Sequence, residues 1–178
     1  MQDKPFVQLI TGPMGAGKST VSRSMAKQIG NCVDIDIEHI NYMLPNGFDE
    51  KPRTDGSIGF NEWAMSGEII GFLAKHFLDN DYSISIHGYV NVTLLQNIEK
   101  HVIVTSKIIL MPSLETVILR DRERGEDLTM GEAWVREVYE DFEKNRLPGF
   151  IRLDTSNESI DETITRLRQQ LNVAKHVL

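Results

Sequence analysis

Short apolar runs alternate with longer segments of helical period along the whole chain, and this alternation restricts the fold more than any other feature of the sequence. Five runs have the length of a strand: Phe6–Thr11, Cys32–Asp36, Tyr82–His87, Lys107–Met111 and Phe150–Leu153. Six segments have the helical pattern: about Lys18–Ile29, Phe60–Asp79, Thr93–His101, Ser113–Arg124, Gly131–Arg146 and Ser159–Val177. The strands are rich in Ile, Val and Leu, as is usual for strands that are buried on both faces. The pattern therefore predicts an α/β fold with a five-stranded parallel sheet and helices on both of its faces.

The chain has the size of one domain. Its 178 residues lie within the range of about 100–200 residues that is usual for a single domain. We therefore expect residues 1–178 to form one domain. Within it, residues 44–80 open on a stretch rich in Pro and Gly and are predicted to be an insertion between the second and third strands. The highly charged residues 120–131 are predicted to form a small movable lid.

The balance of charges and the cysteine count exclude several classes of protein. Lys and Arg number 19 and Asp and Glu number 26, which gives a net charge of −7, the wrong sign for binding nucleic acid through its phosphates. A single cysteine excludes an internal disulfide framework. The first residues lack the apolar region of a secretory signal, and no run approaches the length of a membrane span. We expect a cytoplasmic monomer that binds neither nucleic acid nor membranes.

A glycine-rich motif follows the first predicted strand and precedes the first helix. Gly12-Pro-Met-Gly-Ala-Gly17-Lys18-Ser19, called the phosphate loop below, fits the pattern G-x-x-x-x-G-K-[ST]. Glycines leave room for consecutive backbone N–H groups to curl around phosphate oxygens at the positive end of a helix. Lys18 then reaches the β- and γ-phosphates, and the Ser19 hydroxyl binds Mg²⁺. The predicted nucleotide-binding residues are Gly12, Pro13, Met14, Gly15, Ala16, Gly17, Lys18, Ser19 and Thr20, although Thr20 is equally well explained as an ordinary residue of the first helical turn.

The segment GPMGAGKSTVSRSMAKQIG, followed by VDIDIEHI, resembles the opening of the shikimate kinase and gluconate kinase group. The chain length, the acidic second strand and the arginines at 120–124 are also similar to chloramphenicol phosphotransferase-like kinases. The order of elements supports the resemblance over nearly the whole chain, whereas specific motifs support it only in about the first forty residues and at 120–124. It implies a three-layer P-loop NTPase fold with a small lid, and ATP and Mg²⁺ as cofactors.

Asp34 and Asp36 stand two residues apart on the second predicted strand, so their side chains share one face of the sheet. This strand ends beside the phosphate loop in folds of this type. The resemblance implies that Asp34 lies near the metal and that Asp36 contacts the acceptor hydroxyl, whose proton it can accept. Alternatively, the pair is a solvated strand end that caps the following helix.

Arg120 and Arg124 are four residues apart and so lie on one helical face in the predicted lid. The resemblance implies that Arg120 stacks on the adenine and that Arg124 contacts the transferred phosphate, roles for which a flat, forked guanidinium is suited. Arg122, between them, is expected to point elsewhere. Alternatively, nearby acids such as Glu123, Glu126 and Asp127 merely balance these arginines on an exposed helix end.

The third predicted strand ends at His87, where related kinases often carry an acid. His87 is either a hydrogen-bonded structural residue or a contact to the acceptor. The three-glycine acceptor signature of shikimate kinases is missing here, which disfavours shikimate as the substrate. Arg53, Glu62 and Trp63, in and after the long loop, are candidates for acceptor recognition.

Together these features predict an ATP-dependent phosphotransferase with Lys18, Asp36 and Arg124 as its catalytic residues, which moves a phosphoryl group to a hydroxyl of a small molecule. A nucleotide-binding switch or regulatory ATPase that acts on a protein partner is the alternative. The chain has neither an N-K-x-D guanine-reading motif nor a suitably placed D-x-x-G segment, which disfavours a GTPase. Stimulation by a small acceptor, rather than by a protein, distinguishes the two.

Overall fold

A computed structural model describes residues 4–43, 62–123, 125, 129–144 and 147–175. Five strands form a single sheet: β1 Val7–Thr11, β2 Cys32–Asp36, β3 Ser83–His87, β4 Ser106–Leu110 and β5 Ile151–Leu153. The strand order is β2-β3-β1-β4-β5, and every neighbouring pair is parallel. The predicted five-stranded parallel sheet is therefore confirmed, and the strand carrying the phosphate loop is its central member.

Seven helices surround the sheet in the part of the chain that the structure describes: α1 Lys18–Ile29, α2 Ile37–Asn41, α3 Glu62–Leu78, α4 Val92–Glu99, α5 Leu114–Arg122, α6 Glu132–Lys144 and α7 Ile160–Lys175. Six of them match the six predicted helices. The seventh, α2, was not predicted, because five residues are too few to show a helical period. It begins directly after β2, where the Asp36 side chain accepts a hydrogen bond from the Glu38 N–H.

The sheet separates two apolar clusters, as expected for a three-layer arrangement. Val7 and Leu9 of β1 belong to the cluster on the side of α3 and α4, whereas Phe6 and Ile10 belong to the cluster on the side of α1 and α7. This alternation follows from the two-residue period of a strand. No described helix is both long enough and apolar enough to cross a membrane.

The helices α3 and α4 pack closely because Gly67 carries no side chain. A Cβ atom built there would lie 2.6 Å from the carbonyl oxygen of Leu94 and 2.7 Å from the Cβ of Asn97. Both distances are too short for a real contact, so any larger residue would force the two helices apart. The close packing of α3 on α4 holds the start of α3, with Trp63, near the carboxyl end of the sheet.

Candidate functional site

The glycine-rich motif forms the connection between the end of β1 and the start of α1, as the sequence predicts. Gly12 has a φ of 148°, and a Cβ atom at this position would overlap the Leu110 carbonyl oxygen. Gly17 is the N-cap of α1, in the left-handed region with φ of 91°, and supplies no side-chain acceptor to the first turn. Gly17 thus gives the N–H groups at this end of α1 no side-chain acceptor, and N–H groups at a helix start can bind an anion.

Lys18 folds back over this loop. Its Nζ donates hydrogen bonds to the carbonyl oxygens of Gly12 at 2.9 Å and Pro13 at 3.0 Å. The amine therefore lies across the mouth of the loop. Ser19 is half-buried and Thr20 is exposed in the following turn.

A cavity of about 310 Å³ opens beside the loop. Gly15, Thr20 and Arg120 are among the residues that line it. The Arg120 guanidinium donates a hydrogen bond to the Thr155 carbonyl oxygen at 3.2 Å, which holds its side chain at the cavity wall. The stacking of Arg120 on the adenine stays a prediction. Arg124 lies outside the described residues.

The described residues that follow α5 are held to this helix by a buried acid. The buried Asp121 accepts hydrogen bonds from the Thr129 hydroxyl and from the N–H groups of Met130 and Gly131. Arg122 points away from the cavity, as expected, and its guanidinium lies 2.6 Å from a carboxylate oxygen of Glu132 on α6. The partner of Arg122 is therefore a residue of α6. Of the acids expected to balance the arginines, Glu126 and Asp127 lie outside the described residues.

Asp34 and Asp36 share one face of β2, as predicted, and Arg23 bridges them. Its Nε lies 3.3 Å from Asp34 Oδ2, and one terminal nitrogen lies 3.3 Å from Asp36 Oδ2. Sequence reasoning missed Arg23, although one signal was present: on α1 it stands four residues after Ser19, on the same helical face. The helix that begins at the phosphate loop thus contacts both acids directly.

A second contact joins α1 to Asp34. The Ser22 hydroxyl donates to Asp34 Oδ1 at 2.5 Å and lies 2.8 Å from the hydroxyl of Ser85 on β3. Burial by itself would raise the pKa of the Asp34 carboxyl, but contacts from His87 and Ser22 above all outweigh it and hold this pKa below its ordinary value. Asp34 is therefore held as a carboxylate, the form that suits a place near Mg²⁺.

Asp36 has two distinct sets of contacts. Its Oδ1 accepts the Glu38 N–H at 3.0 Å and caps α2, the function proposed as the alternative for this pair. Its Oδ2 faces Arg23 and lies 3.9 Å from His39 Nε2. One carboxylate oxygen thus caps α2, and the other is paired with Arg23.

His87 lies at the end of β3. This strand runs between β1, which leads into the phosphate loop, and β2, which carries Asp34 and Asp36. In the strand register it stands opposite Asp36 of β2 and Ile10 of β1. Its side chain is 1% exposed, and its Nε2 lies 3.4 Å from Asp34 Oδ1. The imidazole therefore faces the carboxylates of Asp34 and Asp36 from within the sheet.

Aromatic side chains of α3 and α6 pack on Tyr89, which follows β3. The ring centroids of Trp63 and Tyr89 are 5.7 Å apart, as are those of Tyr89 and Phe142. The Tyr89 hydroxyl donates to Asp141 at 3.3 Å. Trp63 also packs against the apolar core, so its position fits both packing and the predicted acceptor contact. Glu62 begins α3, and Arg53 lies outside the described residues.

The described residues contain no group of three or more His, Cys, Asp or Glu side chains that could hold a metal ion directly. Mg²⁺ bound with a nucleotide needs fewer protein ligands, since it keeps several waters and takes oxygens from the phosphates. A hydroxyl at Ser19 and a carboxylate at Asp34 supply the oxygen ligands that such an ion prefers, so the residues present fit the predicted ion.

No family model and no curated protein sequence matches this chain. Its fold, however, matches solved structures over nearly their full length. A tunicamycin resistance protein of Deinococcus radiodurans has 13% identity and a TM-score of 0.67, with 94% of this chain and 95% of that chain covered. A sugar kinase from Janibacter sp. HTCC2649 has 16% identity and a TM-score of 0.68, with 97% and 98% covered. A gluconokinase from Sinorhizobium meliloti 1021 has 14% identity and a TM-score of 0.65, with 98% and 95% covered. The chain therefore has the P-loop kinase fold that the resemblance implied.

Proposed function

We propose that this protein is an ATP-dependent phosphotransferase that moves the γ-phosphoryl group of Mg-ATP to a hydroxyl group of a small molecule. The observation that carries the proposal is the direct connection of α1 to both halves of the site. The helix begins at the phosphate loop, and its Ser22 and Arg23 contact the acid pair. Donor and acceptor groups are thus organised around one helix.

The donor side consists of the loop and the start of α1. Backbone N–H groups of residues 15–20 and the Lys18 amine bind the phosphates, and Arg120 stacks on the adenine at the cavity wall. Ser19 and Asp34 hold Mg²⁺, the second directly or through a water. When bound, the ion neutralises negative charge on the β- and γ-phosphate oxygens.

The acceptor side consists of Asp36 and the lid. Asp36 Oδ2 leaves Arg23, orients the acceptor hydroxyl and accepts its proton. The bond from the γ-phosphorus to the bridging oxygen breaks, a bond to the acceptor oxygen forms, and ADP leaves. Arg124 contacts the transferred phosphoryl group from the lid at 120–131, and residues 44–80 recognise the acceptor. Positioning and charge neutralisation supply most of the rate.

Two of the structural neighbours are described as a sugar kinase and a gluconokinase, and a third as an antibiotic resistance protein. The first two descriptions support a small acceptor with a hydroxyl group. We further propose that the enzyme is monomeric and cytoplasmic. The three descriptions also guide the choice of compounds for the test. The alternative of a nucleotide-binding switch predicts slow hydrolysis that a protein partner stimulates.

The test is a transfer assay with γ-labelled ATP over a panel of sugars, nucleosides, antibiotics and small acids. We expect Mg²⁺-dependent labelling of at least one class of acceptor and its loss, by about 100-fold or more, in Lys18→Ala. Lys27→Ala, which removes an exposed lysine from the last turn of the same helix, is the matched control and should behave like the wild type. Equal activity of Lys18→Ala and wild type would refute the proposed role of the loop. Labelling of no acceptor, together with hydrolysis stimulated by a protein, would favour the switch.

A further inference from the structure

His87 is an enclosed imidazole that faces two carboxylates. Its Nε2 lies 3.4 Å from Asp34 Oδ1 and 3.9 Å from Asp36 Oδ2, and the side chain is 1% exposed. No group within the described parts of the chain completes a hydrogen bond with this nitrogen. Its nearest charged neighbours are thus the two acids assigned to the metal and the acceptor.

A buried polar nitrogen is costly unless a partner satisfies it. An ionised carboxylate can only accept hydrogen bonds, so an imidazole nitrogen that faces two of them must carry a hydrogen. That hydrogen is present on Nε2 in one neutral tautomer and also in the protonated ring. The direction of the contact therefore does not depend on whether His87 is charged.

Arg23 also donates to this acid pair, but its side chain is 51% exposed and reaches the acids from α1. The imidazole of His87 lies within the sheet, between β2 and β1 in the strand register. When Asp36 parts from Arg23 to meet an acceptor, the exposed arginine can move aside, whereas the buried imidazole keeps its place beside the carboxylate. His87 is therefore the buried polar neighbour of the pair, with its Nε2 toward both carboxylates.

The geometry points to His87 as a positioning residue, whose Nε2–H holds the carboxylates of Asp34 and Asp36 in the orientation that phosphoryl transfer requires. This inference rests on the proposed function, since it concerns the same acids. His87 touches neither nucleotide nor acceptor. Its contribution is made when the carboxylates act, so its loss lowers kcat and leaves the KM for Mg-ATP nearly unchanged.

Three variants separate the hydrogen-bond donor from the volume of the side chain. His87→Leu keeps a similar size without a donor, and His87→Gln places an N–H group near the position of Nε2. His76→Leu makes the same change at an exposed site on α3 and is the matched control. Turnover is measured with the acceptor found by the panel, or as hydrolysis of Mg-ATP by water if none is found.

We expect His87→Leu to lower kcat by about tenfold or more with the KM for Mg-ATP within about twofold of wild type, and His87→Gln to recover most of the loss. A His87→Leu variant with wild-type kcat, or one whose defect lies in KM, would overturn the inference. Lys18→Ala is measured beside it. If Lys18→Ala loses turnover while His87→Leu keeps it, this inference fails and the proposed function stands. If Lys18→Ala keeps turnover, the proposed function itself fails.

A second measurement needs neither turnover nor a variant that folds. Long-range ¹H–¹⁵N spectra of wild-type protein labelled at histidine nitrogens report which nitrogen of the His87 ring carries hydrogen. We expect hydrogen on Nε2. A neutral ring with hydrogen on Nδ1 alone would overturn the inference, because such a ring cannot donate to the acids.

Discussion

Replacing Asp121 by alanine removes the anchor of the segment that joins α5 to α6. The Asp121 side chain is buried and accepts hydrogen bonds from the Thr129 hydroxyl at 2.8 Å, the Met130 N–H at 3.1 Å and the Gly131 N–H at 3.3 Å. It stands directly beside Arg120, which lines the cavity. Loss of the carboxylate therefore affects both the stability of this region and the placement of residues 129–131.

The magnitude follows from the surroundings of the three donors. A hydrogen bond to a charged group contributes about 1.5–3 kcal/mol, and less where water replaces the lost partner. Thr129, Met130 and Gly131 are exposed, so water can reach all three donors. We therefore expect Asp121→Ala to lower the free energy of unfolding by about 2 kcal/mol rather than by the sum of three bonds. For a chain of this length, this corresponds to a fall in Tm of about 4–8 °C.

The assay is urea unfolding of wild type, Asp121→Ala, Asp121→Asn and the control Glu123→Gln, which changes an exposed acid at the end of α5. Asp121→Asn should be intermediate, because its amide oxygen still accepts hydrogen bonds but carries no charge. The KM for Mg-ATP should rise in Asp121→Ala. If the unfolding free energy of Asp121→Ala lies within about 0.5 kcal/mol of wild type, Asp121 does not anchor residues 129–131 and the reasoning is wrong.

Two further predictions concern packing and pH. Gly67→Ala would stabilise an isolated helix by about 1 kcal/mol, but here the added methyl group would lie 2.6 Å from the Leu94 carbonyl oxygen. We therefore expect a net destabilisation of about 1–3 kcal/mol in urea unfolding, and a stabilised variant would contradict the close packing of α3 on α4. The pKa of Asp34 is lowered from its ordinary value of 3.8, so the carboxylate contributes stability above that value which is lost as the pH falls through the lowered pKa. Asp34→Asn should be less stable than wild type near neutral pH, and the difference should shrink as the pH falls below 3.8; a difference that stays the same from neutral to strongly acidic pH would count against it.

The elements of the fold could be predicted because each has a pattern long enough to recognise. All five strands and six of the helices begin and end within a few residues of their predicted bounds. The exception is α2, which has only five residues and starts at the residue that ends the strand before it. Its N-cap is Asp36, a function that the sequence offered only as an alternative for the acid pair.

The candidate site was predicted where its residues are neighbours in the sequence and missed where strand order brings them together. The phosphate loop and the shared face of Asp34 and Asp36 follow from local spacing alone. His87 was left open, because only the placement of β3 between β1 and β2 brings its ring to the acids. Arg23 was missed because its spacing from Ser19 alone does not separate it from the surface charges of an amphipathic helix. The predicted contacts of Arg53 and Arg124 fall outside the described residues and stay predictions.

The first helix, α1, also sets a distance within the candidate site. Lys18 and Arg23 are five residues apart on α1, an axial separation of about 7.5 Å. Because α1 is one continuous helix, it fixes the distance between the phosphate loop and the carboxylates of Asp34 and Asp36. If the proposed function is right, the distance between the phosphate donor and the acid pair is therefore set by α1 and not by the residues that follow α5.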